Sequence, residues 1–296
     1  MPYTELNGFR MSYATGGSGD TLAFIHGGMA SLASALKHTD AYGWGDLDRF
    51  FAAHFRYVSY DRRGCRLSSC PDQGYELLNQ AEDLRALLDL LGIERAHLVA
   101  SSAGGPIGIV FAATYPQRTQ ALVLAGTALA LFPAGDPPSD IVRDQIARLA
   151  SKGPDAAFAA RPPGVEASLD VLWAHEEAAA TGELEAWQTE QEEYARRAAL
   201  IPDGERVRRY AAELRSAQAY ITCDVASYAA RVVASTLILH GSDDREVYFS
   251  WGEAMARAMP RATFRPFPGG HHSLLYYSDE ARDTALNFLR GSLTSV

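Results

Sequence analysis

Five short apolar runs recur along this chain, and each stops at glycine or at a small polar cluster. Residues 21–26 (Thr-Leu-Ala-Phe-Ile-His) run into Gly27-Gly28, and residues 56–60 (Arg-Tyr-Val-Ser-Tyr) end at Asp61-Arg62-Arg63-Gly64. Residues 96–101 are followed by Ser102-Ala103-Gly104-Gly105, residues 121–125 end at Gly126, and the last run closes at His240-Gly241. Between the second and third runs Ala81, Leu84, Leu87, Leu88 and Leu91 recur at helical spacing, with Gly92 as a C-terminal stop. Residues 103–115 read as another helix, closed by Pro116. Strand signals separated by amphipathic helices predict an α/β fold: a parallel sheet with right-handed crossovers, covered by helices.

The pattern breaks near residue 132. Phe132-Pro133 and Pro137-Pro138 interrupt it, and the stretch to about residue 232 is rich in Ala, Glu and Arg with no convincing strand. Between Glu166 and Glu193 there are acids but no Lys or Arg. Glu is a good helix former, so this run reads first as a solvated helical face, with recognition of a cationic substrate as the competing reading. Trp173, Trp187, Tyr194 and Tyr210 punctuate the stretch. Sheet pattern resumes at 235–241. A helix is predicted over 247–258, a strand over 262–267 and an amphipathic helix over 279–290. The expected organisation is one α/β core from residues 1–131 and 233–296, with a helical cap (lid) insertion over 132–232.

Charge narrows the function classes. The 296 residues carry 27 Lys plus Arg against 36 Asp plus Glu, a net charge of -9, which would repel nucleic acid on average. No apolar run is long enough to cross a bilayer, so no membrane partner is expected. Met1-Pro2-Tyr3-Thr4-Glu5-Leu6 lacks the basic-then-apolar pattern of a signal peptide. Three cysteines, Cys65, Cys70 and Cys223, cannot build a disulfide framework and read as reduced thiols in a cytoplasmic protein. No His, Asp or Glu cluster has metal-ligand spacing, and neither a dinucleotide fingerprint nor a P-loop is present, so no metal or cofactor is expected.

Ser102 is the candidate nucleophile. It follows an apolar strand and opens a helix, flanked by small residues (Ala100-Ser101-Ser102-Ala103-Gly104) that a sharp chain reversal needs. Alone the pentad also suits a helix N-cap. A serine hydroxyl needs a base, and the base an orienting carboxylate, each just beyond a later strand in the order Ser, acid, His. Asp243-Asp244 follows the run 235–241, and His271-His272 follows 262–267. Both fall where that chemistry requires them.

With these residues assembled, the sequence resembles the α/β-hydrolase fold family over nearly its whole length. The matching motifs are His26-Gly27-Gly28, Asp61-Arg62-Arg63-Gly64 with Ser68, the Ser102 elbow, His240-Gly241-Ser242-Asp243-Asp244 with Val247, and the late histidine pair. The resemblance implies an eight-stranded, mostly parallel sheet, a cap after the sixth strand, and an oxyanion hole from the backbone N–H groups of Gly28 and Ala103. Its spacing after the strand favours Asp244 over Asp243. For the base, the family's Gly-His dipeptide fits Gly270-His271, whereas register from Pro268 and from Asp279-Glu280 fits His272. Two anchors outweigh one, so His272 is chosen with His271 as competitor.

Three departures from the family are visible: Ala100 for the first elbow Gly, Arg66 where the Asp61 motif has a second Gly, and His271 where Gly precedes the base. The segment between Gly28 and Trp44, carrying Lys37, His38 and Asp40, is expected to line the pocket mouth. His26 and His240 are expected to satisfy buried backbone groups, and Asp61 to bond its own turn. The function expected is a cofactor-independent serine hydrolase of a small or medium apolar ester or lactone. A proline iminopeptidase-like aminopeptidase, a carbon–carbon bond hydrolase and a hydrolase-derived receptor are the alternatives. A small-molecule substrate is the expected partner, with a homodimer left open.

Overall fold

The computed structural model describes residues 2–36 and 45–291. Lys37, His38 and Asp40, expected at the pocket mouth, lie outside the described residues. The sheet has eight strands in the order β1-β2-β4-β3-β5-β6-β7-β8. They are β1 (Tyr3–Leu6), β2 (Phe9–Gly16), β3 (Thr21–Ile25), β4 (Arg56–Tyr60), β5 (Ala96–Ser101), β6 (Thr119–Ala125), β7 (Ser235–Gly241) and β8 (Ala262–Phe267). Only the β1–β2 and β2–β4 pairings are antiparallel. From β4 through β3, β5, β6 and β7 to β8 every pairing is parallel. The sheet is thus of the kind expected, eight-stranded and mostly parallel. The antiparallel β1–β2 pair was not legible: Phe-Arg-Met-Ser-Tyr-Ala-Thr-Gly alternates only partly, and its burial is correspondingly irregular.

Strand order reverses between β3 and β5: the chain leaves β3 for β4 on one side and reaches β5 on the other. At such a switch point the loops beyond the strands' carboxyl ends diverge and leave a crevice. Here those loops carry His26-Gly27-Gly28 and Ser102. The central strands are buried on both faces, with β3 and β5 buried at every position. On one face α3 (Leu77–Leu90) and α4 (Gly104–Thr114) contribute Leu84, Leu87, Ile107 and Phe111 to the larger apolar core. On the other, α2 (Asp46–Ala52) and α13 (Asp279–Leu289) bring Leu47, Phe51, Leu286 and Leu289 against Leu22, Val99 and Leu237. Each such side chain taken from water contributes about 1.5–3 kcal/mol, which is what fixes the strand ends to one another.

Between β6 and β7 the chain forms α5 (Pro137–Lys152), α6 (Pro154–Ala159), α7 (Val171–Thr181), α8 (Leu184–Ala198), α9 (Asp203–Thr222) and α10 (Val225–Ala229). α5 starts cleanly because Asp136 caps it, accepting from Ser139 N at 3.1 Å, and Pro137 sits at its first position. A short α1 (Leu32–Leu36) precedes α2, α11 (Phe249–Ala258) follows β7, and α12 (Leu274–Tyr277) precedes α13. Among the described residues no helix is long and apolar enough to cross a membrane.

Two local expectations have structural answers. Arg66 takes φ +47°, so the turn keeps the left-handed backbone that glycine usually supplies, at a cost of roughly 1–2 kcal/mol. Asp61 does bond its own turn, Oδ2 accepting from Leu67 N at 3.3 Å. Cys65 and Cys70 are buried free thiols, and burial pushes the Cys65 thiol up to about 11. It therefore behaves as an apolar side chain rather than a nucleophile.

Candidate active site

Ser102 sits between β5 and α4 with φ +48°, a left-handed conformation that costs a non-glycine residue about 1–3 kcal/mol. Two hydrogen bonds hold it there: Ser102 N donates to Ala125 O at 2.9 Å, and Gly105 N donates to Ser102 O at 2.8 Å. Glycine is required around it by close approach. A Cβ on Gly104 would lie 2.3 Å from Ile25 O, and one on Gly27 would lie 2.9 Å from Ser102 Cβ. The strained turn and its glycine neighbours hold the hydroxyl at the cavity wall rather than inside the helix.

Asp244 lies just past β7, and its Oδ1 accepts from Glu246 N at 3.0 Å and Val247 N at 2.8 Å. Its other oxygen, Oδ2, is 2.8 Å from His272 Nδ1. The far nitrogen of the same ring, Nε2, is 3.1 Å from Ser102 Oγ. With Nδ1–H donating to the Asp244 carboxylate, Nε2 presents a lone pair to the serine hydroxyl. Asp244 and His272 are both buried. The chain thus brings Ser102, Asp244 and His272 together from three strand ends.

The competitors lie elsewhere. Asp243 is exposed and accepts from Ser242 Oγ at 2.9 Å. His271 turns its Nδ1 toward Glu177 Oε1 at 3.6 Å, and its N–H donates to Tyr277 Oη at 2.7 Å. His26 and His240 serve backbone groups as expected: Arg62 N donates to His26 Nε2 at 3.2 Å, and His240 Nε2 meets Val247 O at 2.8 Å. Among the described residues no group of three or more His, Cys, Asp or Glu is placed to hold a metal ion.

A cavity of about 520 Å³ opens over Ser102 and His272. Gly28 and Ala103 line it, so the two residues expected to supply backbone N–H donors share the cavity with the hydroxyl. Its far wall comes from the helical segment, through Phe132, Trp173, Trp187 and Tyr194. Carboxylates line it as well (Asp170, Glu190 and Glu246), and Arg66 is the only Lys or Arg among its described lining residues.

Two site residues escaped the sequence reading. Glu246 brings Oε2 to 3.6 Å from His272 Nε2, beside the serine rather than behind the ring. Glu177, buried on α7, accepts from His272 N at 2.6 Å through Oε1 and from Arg245 N at 2.9 Å through Oε2. It belongs to the acidic run read as a solvated face, and only the tertiary packing of α7 singles it out. Burial alone would depress the His272 imidazole, but the carboxylates of Glu246, Asp244 and Glu177 outweigh it and push the group up to about 10. Glu246 itself is raised, since burial outweighs the imidazole's opposing pull.

Known proteins with this architecture can now be set beside the geometry. Residues 20–277 match the model of the alpha/beta hydrolase fold family. A 2-hydroxy-6-oxononadienedioate/2-hydroxy-6-oxononatrienedioate hydrolase of Comamonas testosteroni is 27% identical over 299 residues, covering 96% of this chain and 92% of the relative. Solved structures share the fold. The enol-lactonase of Burkholderia xenovorans LB400 superposes with a TM-score of 0.68 at 20% identity, covering 98% of this chain and 100% of the other. A thermophilic esterase of Thermogutta terrifontis gives 0.65 at 19% identity, with 99% and 97% covered.

Proposed function

This chain belongs to the α/β-hydrolase fold family and is a hydrolase of small molecules, and from that premise we propose that it cleaves a small or medium apolar ester or lactone through an acyl-enzyme on Ser102. One observation carries this reading: a single imidazole, His272, lies 2.8 Å from Asp244 Oδ2 and 3.1 Å from Ser102 Oγ. In the proposed reaction Ser102 Oγ attacks the carbonyl carbon while its proton passes to His272 Nε2. Asp244 holds the ring and balances the imidazolium. The tetrahedral oxyanion is received by the N–H groups of Gly28 and Ala103. Collapse of that intermediate expels the alcohol, which takes the proton from His272. Water, deprotonated by the same nitrogen, then releases the acid and restores the serine. Apart from the substrate and water, every group in these steps is one of the chain's own residues.

We take residues 132–232 to be a lid whose aromatic wall, Phe132, Trp173 and Trp187, gives the acyl portion an apolar surface. A second reading is favoured by the carboxylates lining the cavity against one guanidinium: action on an amine-bearing substrate, as an aminopeptidase. The same lining disfavours a dianionic substrate. A fluorophosphonate probe followed by peptide mapping tests the nucleophile, with Ser102 the expected labelled residue. A panel of p-nitrophenyl esters of increasing acyl length, run beside a proline arylamide, then separates the readings. Turnover of the arylamide above every ester would replace the ester reading with the aminopeptidase one.

A further inference from the structure

Arg62 is a buried cation with no acid beside it among the described residues. Its neighbour Arg63 shows the ordinary solution, two bonds to one carboxylate: Nε and Nη2 lie 2.6 and 2.8 Å from the oxygens of Asp83. Arg62, only 2% exposed, has neutral partners among the described residues. Nη1 donates to Gln80 Oε1 at 3.1 Å and to Tyr220 Oη at 3.0 Å. Nη2 donates to Gly27 O at 3.3 Å and also to Gly28 O. A buried charge is normally paired, because losing water without gaining a counter-ion is strongly unfavourable.

The two carbonyls it gathers flank one half of the proposed oxyanion hole. No peptide bond here is cis, so in the unit joining Gly27 to Gly28 the C=O and N–H point in opposite directions. Gly27 O, held by His26 Nδ1 at 2.7 Å as well as by the guanidinium at 3.3 Å, faces Arg62, and the Gly28 N–H is therefore aimed away from Arg62. The Gly28 backbone lines the cavity beside Ser102, and its φ of +71° suits glycine. The other half is tied to the same cation. Tyr220 Oη, having accepted from Arg62, donates to Ala103 O at 2.7 Å, while Gly105 N holds Ser102 O at 2.8 Å. Residue 103 is thus fixed through both of its peptide units.

We propose that Arg62, with Tyr220 as its relay, is the positioning residue of the oxyanion hole, and that the anion formed when Ser102 adds to a carbonyl supplies the counter-charge the buried guanidinium lacks. The inference rests on the serine-hydrolase reading above. Charge that is unbalanced in the resting protein and balanced in the tetrahedral state lowers the barrier without tightening substrate binding.

The test compares Arg62→Gln and Tyr220→Phe with wild type by phosphonylation rate, by kcat and KM for p-nitrophenyl butyrate, and by inhibition with phenylboronic acid, whose serine adduct is a tetrahedral anion. Arg62→Gln is expected to slow phosphonylation and lower kcat about 100-fold, and Tyr220→Phe about 10-fold. Boronate affinity should fall by comparable factors while KM stays within about two-fold. Arg62→Lys keeps the charge but loses the fork, and should recover part of the boronate affinity. Should Arg62→Gln fail to fold, the lysine and phenylalanine variants carry the same comparison. Unchanged boronate affinity, or a loss in KM with kcat intact, overturns the proposal. Ser102→Ala serves as the separate control: labelling or turnover surviving there sinks the serine-hydrolase reading itself, whatever Arg62 does.

Discussion

The sheet and the helical segment between β6 and β7 contribute to the cavity in different ways. From the sheet come Ser102, Asp244 and His272, each one to five positions beyond a strand that is hydrogen-bonded along its length to its neighbours. From the segment come apolar wall residues such as Trp173 and Trp187, plus polar groups that touch the loops bearing the site, among them Glu177, on the His272 and Arg245 backbone, and Tyr220, on Ala103. Side chains that must meet within 3.1 Å are anchored on the rigid layer. Side chains that need only enclose a ligand ride on helices. Through Glu177 and Tyr220, displacing the helices would also disturb the residues proposed to carry the chemistry.

The contrast can be broken or sharpened by substitution, beginning with the sheet. Ser102→Ala is expected to lower kcat by about 10⁴–10⁶-fold with unfolding in urea unchanged, read from single-turnover assays and circular dichroism. Asp244→Asn should cost about 10³–10⁴-fold, because an amide that keeps its bonds from Glu246 N and Val247 N turns its NH₂ toward His272 and favours the wrong tautomer. Phe111→Ala, beneath the sheet and fully buried, should lose about 3–5 kcal/mol of unfolding free energy. On the helices, Glu177→Gln sets an amide donor against one of the two backbone N–H groups that the carboxylate serves and should lower stability by about 1–3 kcal/mol. Its kcat should fall more than KM rises. Equal stability and kcat in that variant would show that the segment encloses without positioning.

Smaller effects should appear in the pH profile. In the proposed mechanism the neutral imidazole is the base, and the surrounding carboxylates favour its protonated form. Then kcat/KM should climb with pH through a midpoint above histidine's ordinary 6.5. Glu246→Gln removes one of those carboxylates, so the midpoint should move to lower pH; a stationary midpoint would assign the shift to Asp244 and Glu177 alone. Smallest of all, Leu200→Ser, at a helix end where the side chain is 83% exposed, should stay within about 0.5 kcal/mol of wild type.

How much of this was readable follows the same divide. Runs such as 56–60, 96–101 and 235–241 coincide with strands, because a strand buried on both faces must be apolar along its length. Ser102 and Asp244 stood out because a turn just after a strand is a local pattern. The choice of His272 over His271 rested on register from Pro268 and Asp279, and it is the His272 ring that faces Ser102. Glu177, Glu246 and Tyr220 left no such trace, and Arg62 stood in a turn motif that did not reveal its contacts. Arg62 and Tyr220 are 158 positions apart, and Glu177 sits among acids that look alike in the linear text. The parts of Glu177 and Tyr220 depend on which helix face turns inward, and helical spacing alone does not say which of several polar positions that face will bury.

Ser102 and His272 stand 170 positions apart, and Gly182, exposed in the turn between α7 and α8 with φ +77°, falls between them. A polypeptide severed there yields one fragment bearing the hydroxyl and another bearing the imidazole and Asp244. Hydrolysis would then report only reunited halves, which makes this molecule a natural template for a two-piece complementation sensor.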